Sequence, residues 1–184
     1  MAGYPATRYV AFLRAVNLGG HRLVKMDRLR SVFESLGYTG VQTFIASGNV
    51  VFESSVKSAA DLERALEAAL LRAFGFPVAT FVRSIAELAK VAKHEPFPSV
   101  DGGNASVYVA FVRAKPDKAS ERKLMSFANE IDDFRVHGRE VYWLRRGGFG
   151  AAKAPPLEKT LGMDATVRNT TTVRKMAAKF CRGS

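Results

Sequence analysis

Short apolar runs alternate with helical spacings along the first part of the chain. Residues 8–15 combine Tyr, Val, Phe and Leu and end at an Asn- and Gly-rich loop, which predicts a first strand. The apolar residues that then recur at helical spacing are Met26, Leu29, Phe33 and Leu36. Gly37 follows where a helix would end. A strand and then a helix are therefore expected over residues 8–37.

A hairpin and a second helix are predicted next. Residues 41–46 and 50–53 are apolar runs separated by Ser47, Gly48 and Asn49, a composition typical of a tight turn. The apolar stripe of the second helix consists of Leu62, Leu66, Leu70 and Phe74. Before it, Ser58 with Asp61 three residues later resembles a capping box. Residues 78–83 predict a fourth strand, and Ser84 with Glu87 predicts a helix over residues 84–93.

The second part of the chain repeats this order of elements. Residues 94–104 contain two Pro and two Gly and predict a linker. The elements predicted after it lie at residues 106–113, 117–129, 134–137, 140–145, 157–161, 165–168 and 173–180. We interpret the repeat as one of element order and not of residue identity. An α+β protein of two ferredoxin-like (β-α-β-β-α-β) halves, with an extra connecting helix and a C-terminal helix, is expected, with domains at residues 1–94 and 95–184.

Charge is the one unusual feature of the composition. The net charge is +11 and the pI about 10.1, which favours anionic partners, although a role in solubility alone explains the charge equally well. No apolar run reaches the roughly 18 residues of a membrane span, and the first residues do not resemble a secretory signal. With a single cysteine, Cys181, the chain is expected to be cytoplasmic and to have no membrane partner. The sequence does not indicate an oligomeric state.

Topology predicts where chemistry would concentrate. In a ferredoxin-like sheet the first two strands run parallel on either side of the third, so their C-terminal ends share one edge. The loop at residues 14–20 and the turn at Ser47, Gly48 and Asn49 should therefore meet. The groups suited to an anion in and after that loop are Arg14, Asn17, the backbone of Gly19 and Gly20, and Lys25. We predict that these residues bind a ligand.

A structural role is the alternative for each of these residues. Gly19 and Gly20 would permit a turn that Asn17 caps, while Arg14 would hold Asn49 in place. Arg168 and Asn169 precede the last helix and are a possible third contributor to the anion site. Their alternative role is a capping segment, in which the threonine hydroxyls that follow cap the helix.

Several other chemistries are not favoured. Ser47 lacks the strand-to-helix context of a nucleophile elbow, and residues 147–153 are Gly-rich but lack the Lys-Ser or Lys-Thr pair of a phosphate loop. The chain's histidines, which are His21, His94 and His137, are not spaced as metal ligands. We therefore predict neither a cofactor nor a metal. Asp132 and Asp133 are expected to be solvated surface charges.

Three motifs resemble the domain-of-unknown-function family numbered 1697. Residues 11–20 are similar to its Leu-Arg-Gly-Ile-Asn-Val-Gly-Gly signature, and residues 43–52 and 165–169 resemble later family motifs in order and spacing. The resemblance covers nearly the whole chain and implies a small bacterial protein with a two-part ferredoxin-like fold. It implies no activity. The chain departs from the family at Ala15, Ala152 and Thr170-Thr171, where the family often has Gly, Ser and Trp-Asn.

Three functions remain open. The first is binding of an anionic ligand, a nucleotide or a phosphorylated small molecule, at the edge formed by Arg14, Asn17 and Asn49. The second is a nucleic-acid-binding module, and the third is an enzyme of unknown reaction class that uses the same edge. We expect the first, because charge and paired loops favour it.

Overall fold

The structure, a computed structural model, describes residues 5–14, 23–45, 48–98, 104–148, 150 and 153–181. The chain forms two compact units, Met1–Ala89 with Phe180–Ser184, and Lys90–Lys179. The prediction of two domains that part at residue 94 stays a prediction, because packing into compact units does not test independent folding. No helix of the described residues is long and apolar enough to cross a membrane.

The first unit has the predicted ferredoxin-like topology. Its elements are β1 (Thr7–Leu13), α1 (Met26–Ser35), β2 (Thr39–Thr43), β3 (Asn49–Ser54), α2 (Ala59–Phe74) and β4 (Thr80–Ser84). The strand order is β2-β3-β1-β4, and every neighbouring pair is antiparallel. Helix α3 (Ile85–Lys93) follows β4 without a loop, and the boundary between the units lies within it.

The second unit repeats the topology. Its elements are β5 (Ala105–Val112), α4 (Lys118–Met125), β6 (Asp132–His137), β7 (Glu140–Arg146), α5 (Leu157–Leu161) and β8 (Ala165–Asn169). The order β6-β7-β5-β8 is again fully antiparallel, and α6 (Thr170–Phe180) follows β8 directly. The predicted fold class, with its connecting and C-terminal helices, is confirmed.

Local side-chain bonds explain where the elements begin and end. Ser58 accepts a bond from the Asp61 N–H at 3.2 Å, as the capping-box spacing predicts. Ser84 and Glu87 form a reciprocal capping box, with bonds of 3.2 Å and 2.7 Å. The helix predicted over residues 117–129 ends earlier, at Met125, because the Asn129 side chain accepts the N–H groups of two residues that lead into β6.

Each sheet packs one face against helices of its own unit. The first core is built around an aromatic cluster whose ring centroids lie 4.9–6.4 Å apart and whose members are Tyr9, Phe33, Tyr38 and Phe52. The second core includes Leu124, Phe134, Trp143 and Leu161. Strands β1, β3 and β7 are buried along most of their length, which explains why they appear in the sequence as short apolar runs.

The strand register corrects one expectation, because the repeat does extend to residue identity. In β1, Val10 pairs with Arg83 of β4, and in β5, Val109 pairs with Arg168 of β8. Aligning the halves on these pairs matches the Tyr-Val-Ala-Phe text of residues 9–12 with the same text at residues 108–111. The match makes Arg14 and Arg113 equivalent, since each is the second residue after that text.

Both units protect the outer edge of their last strand in the same way. Glu67 of α2 accepts the Thr80 N–H at 2.8 Å, and Glu158 of α5 accepts the Ala165 N–H at 2.9 Å. Thr80 and Ala165 are equivalent positions in the two registers. An exposed edge strand otherwise presents unpaired N–H groups to other chains, so these carboxylates close part of each edge.

Asp132 is a buried ion-pair residue and not a surface charge. It pairs opposite Arg145 in the register of β6 and β7, and the two residues are 2% and 0% exposed. Nη1 of Arg145 donates to both carboxylate oxygens at 2.9 and 3.0 Å, and Nε1 of Trp143 donates to one of them at 2.6 Å. The guanidinium also donates to the Gly148 carbonyl, so the pair attaches the Gly-rich stretch to the sheet.

Replacing Asp132 with Asn should lower the free energy of unfolding by about 3–5 kcal/mol, because Arg145 keeps a buried charge with no counter-charge on Asp132. Asp133→Asn is the matched control, since Asp133 pairs with the half-exposed Arg135 and its loss should cost less than about 1 kcal/mol. Urea unfolding of both variants measures the difference. Equal losses of unfolding free energy in the two variants would show that the buried ion pair stabilises the protein no more than the exposed one.

Candidate functional site

The described backbone places the end of the first strand beside the hairpin turn. The Leu13 N–H donates to the Gly48 carbonyl at 2.8 Å, and the Arg14 N–H donates to the Ala79 carbonyl at 2.9 Å. The end of β1 therefore lies beside the start of β3 and the segment that precedes β4. Asn17, Gly19, Gly20 and Ser47 lie outside the described residues, so the proximity extends to Arg14 and Gly48.

Asn49 closes the connection between β2 and β3. Its side chain is 1% exposed, and its Nδ2 donates to the Phe44 carbonyl at 3.1 Å, while its own carbonyl accepts the Phe44 N–H at 2.9 Å. Gly48 before it has φ +75°, which a glycine adopts without strain. The described bonds of Asn49 are thus those of a turn residue.

Lys25 lies at the start of α1. Its side chain is exposed, its backbone is extended, and its carbonyl accepts the Leu29 N–H at 2.9 Å. Its side chain does not cap the helix. Lys25 therefore presents its charge to solvent at the start of α1.

Arg168 and Asn169 belong to the second unit. Arg168 donates from Nη1 to Thr166 Oγ1 at 2.7 Å and to the Val167 carbonyl at 2.9 Å. Burial lowers the pKa of Arg168 to about 10 from its ordinary 12.5, so the guanidinium is still charged at neutral pH. Asn169 accepts the Thr171 N–H at 2.8 Å through Oδ1.

Asn169 therefore caps α6, where threonine hydroxyls were expected to do so. Its Oδ1 takes the second N–H of the helix, which is the usual bond of an Asn cap. The Thr170 hydroxyl instead donates to the Val107 carbonyl at 3.0 Å and ties the helix start to β5. Asn169 also pairs with Tyr108 in the sheet, so one residue ends the strand and begins the helix.

A cavity of about 360 Å³ lies at this helix start. Its polar lining residues are His94, Glu95, Ser106, Asn169, Thr170, Thr171 and Arg174. Arg174 lies on the second turn of α6 and donates from Nε to the Ala92 carbonyl at 3.4 Å. Asn169, which the sequence analysis predicted to bind a ligand, lines this cavity.

Sequence reasoning missed most of the cavity. His94 was assigned to a linker, and Arg174 was one of many basic residues near the end of the chain. The two are 80 positions apart, and only the fold brings both to one cavity. A signal did exist, because a basic residue four positions after the first residue of a helix lies one turn above its start.

His94 is held in place by two ring contacts. Its ring stacks on that of His137, with centroids 4.4 Å apart and planes 22° apart, and it lies 4.8 Å from the ring of Tyr142. Burial, and secondly the neighbouring His137, lower the pKa of His94 below its ordinary value, while Glu140 acts in the opposite direction. His94 is therefore largely neutral at physiological pH.

The described residues do not form a candidate metal site. In the part of the chain that the structure describes, no group of three or more His, Cys, Asp or Glu side chains could hold a metal ion. The stacked histidines present their ring faces to each other, which is not the arrangement of two ligands that share an ion.

Topology and register together define an α+β protein of two ferredoxin-like halves. A family model described as "Protein of unknown function (DUF1697)" matches residues 6–142. The chain therefore belongs to the DUF1697 family, as its motifs indicated.

A solved structure shows the same fold. The chain is similar to the conserved bacterial protein SP0830 from Streptococcus pneumoniae, with a TM-score of 0.72 and 21% sequence identity over 96% of this chain and 99% of that one. At this identity the similarity concerns the fold alone. No curated protein matches the sequence.

Proposed function

We propose that the protein binds a small anionic ligand, such as a phosphorylated metabolite or a mononucleotide, in the cavity at the start of α6. The cavity is the observation that carries this proposal. Its volume of about 360 Å³ is near the lower end of the usual range for small-molecule sites, which favours a small ligand over a polymer.

The start of α6 supplies favourable electrostatics. The aligned peptide dipoles of a helix place roughly half a positive charge at its N-terminus, and the first N–H groups have no partners inside the helix. Helix α6 has no acidic residue in its first turn, and Arg174 adds a full positive charge to the cavity. Glu95 also lines the cavity, and it and Arg174 are both exposed, so solvent weakens both charges alike and the helix end supplies the remaining attraction for an anion.

The start of the equivalent helix in the first unit differs from the start of α6. Helix α3 likewise follows the last strand of its sheet, but Glu87 lies in its first turn and accepts the Ser84 N–H at 2.7 Å. A carboxylate there neutralises the positive helix end. Of these two equivalent helix starts, only that of α6 therefore keeps its attraction for an anion.

The Arg14 edge is a second place for the same kind of ligand. Arg14 follows β1 and Lys25 precedes α1, and a ferredoxin-like fold would bring their two positive charges to one end of the first sheet. The ligand-binding role of Arg14, Asn17, Gly19, Gly20, Lys25, Ser47, Gly48 and Asn49 stays a prediction, as do the nucleic-acid-binding and enzyme alternatives. The cytoplasmic location, where such ligands are abundant, also stays a prediction.

Arg174→Gln should weaken anion binding about tenfold or more, because a bond to a charged group contributes about 1.5–3 kcal/mol. Lys175→Gln is the matched control, since it removes the same charge from α6 at a residue outside the cavity lining. The panel of ligands to be tested consists of inorganic phosphate, sugar phosphates and nucleoside mono-, di- and triphosphates. A ligand at 100 times its Kd should add about 2.7 kcal/mol to the wild type's stability in thermal unfolding.

Two results would contradict the proposal at this cavity. One is the absence of stabilisation of the wild type across the panel, and the other is an equal loss in both variants. Binding of mixed-sequence nucleic acid that weakens steeply with salt, without any response to the small anions, would favour the nucleic-acid alternative.

The equivalent arginine of the second unit provides a control for a test of the Arg14 edge. Arg14→Ala should abolish stabilisation by any ligand that binds this edge, because the ligand loses its donor at the end of β1. Arg113→Ala is the control, since Arg113 is equivalent at the end of β5 and is exposed. Measurement of the same thermal shifts decides the matter. Equal shifts in both variants and the wild type would remove Arg14 from ligand binding.

A further inference from the structure

We propose that His94 makes anion binding in this cavity pH-dependent, by taking up a proton when the anion binds. This inference rests on the proposed function, since it needs an anion beside His94. It assigns to His94 a regulatory role that neither the family nor the fold supplies.

The geometry places His94 in two environments at once. His94 lines the cavity, and its ring stacks on that of His137 at 4.4 Å and contacts that of Tyr142 at 4.8 Å. These ring contacts hold in place the imidazole of a residue that lines the cavity. A proton on His94 would therefore interact with an anion bound there.

Charged groups lie on each of the elements near His94. On its own segment they are Lys90, Lys93 and Glu95; on β6, Arg135 and His137; on β7, Glu140; and on α6, Arg174. Tyr142 on β7 is the other titratable group in contact, and burial keeps it neutral by raising its pKa. Without an anion, burial and His137 oppose a charge on His94 more strongly than Glu140 favours it, so its pKa is lowered.

A bound anion reverses that balance. A negative charge beside the ring favours the protonated form, so the pKa of His94 is higher in the complex than in the free protein. By linkage, affinity is constant above the bound-state pKa, rises as the pH falls below it, and levels off below the free-state pKa. Each unit between the two pKa values gives about a tenfold gain in affinity.

His137 influences the pH range over which the affinity for the anion rises. Positive charge on the stacked His137 ring disfavours a second charge on His94, and so His137 lowers the pKa of His94. Replacement of His137 by Gln should therefore move the rise in affinity to higher pH without removing it. A residue that only supports the structure would not shift the pH range in this way.

Sulfate is the appropriate probe, because it stays a dianion between pH 5.5 and 8.5 while phosphate changes its own charge. Calorimetric titration of the wild type should show affinity rising about tenfold as the pH falls through this range. Titration in two buffers that differ in their ionisation enthalpy should show net proton uptake on binding. In NMR spectra, sulfate should move the titration midpoint of the His94 ring to higher pH.

Three variants complete the test. His94→Gln should bind sulfate without pH dependence or proton uptake, and His94→Phe should do the same while it keeps a ring against His137. His21→Gln, which changes the remaining histidine besides the stacked pair, should behave as the wild type. Circular dichroism confirms that each variant is folded.

The outcomes separate the two proposals. Sulfate that binds the wild type at no pH overturns the proposed function together with this inference. Sulfate that binds equally well at all pH values, or with unchanged pH dependence in both His94 variants, overturns only the role of His94.

Discussion

The pairing of β8 with β5 is the interaction on which the candidate site depends. It holds Asn169 opposite Tyr108 at the end of the sheet, and the same Asn169 caps α6 through the Thr171 N–H. Because no loop separates strand and helix, the sheet register fixes the position of the first helical turn. The Thr170 hydroxyl adds a second attachment to β5. The positive helix end is thus placed by backbone pairing, which tolerates little local movement.

The two halves share several local features of sequence and structure. Both have a Tyr-Val-Ala-Phe central strand, an arginine opposite its valine, and a glutamate that closes the edge of the last strand. They differ in the helix that follows. The first half uses Ser84 and Glu87 to satisfy its helix start internally, whereas the second uses the neutral Asn169. The start of α6 is therefore the one of the two that has no carboxylate in its cap.

Much of the fold could be predicted from local patterns. Helical spacing and the capping spacings at Ser58 and Ser84 depend on neighbours in sequence, and they reappear in the structure. Asp132 was misjudged because an acidic pair suggests solvent, while its alternation with Phe134 places it on the buried face. The Tyr-Val-Ala-Phe repeat was visible in the sequence but became evident only through the register.

The candidate site was less predictable, because His94 and Arg174 approach each other only through the fold. The most direct measurement of the central claim is the NMR response of assigned backbone amides to sulfate at pH 6. We predict saturable shifts at Thr170, Thr171 and Thr172 in the first turn of α6, together with His94. Shifts confined to the residues around Arg14, or no saturable shift in α6, would contradict it.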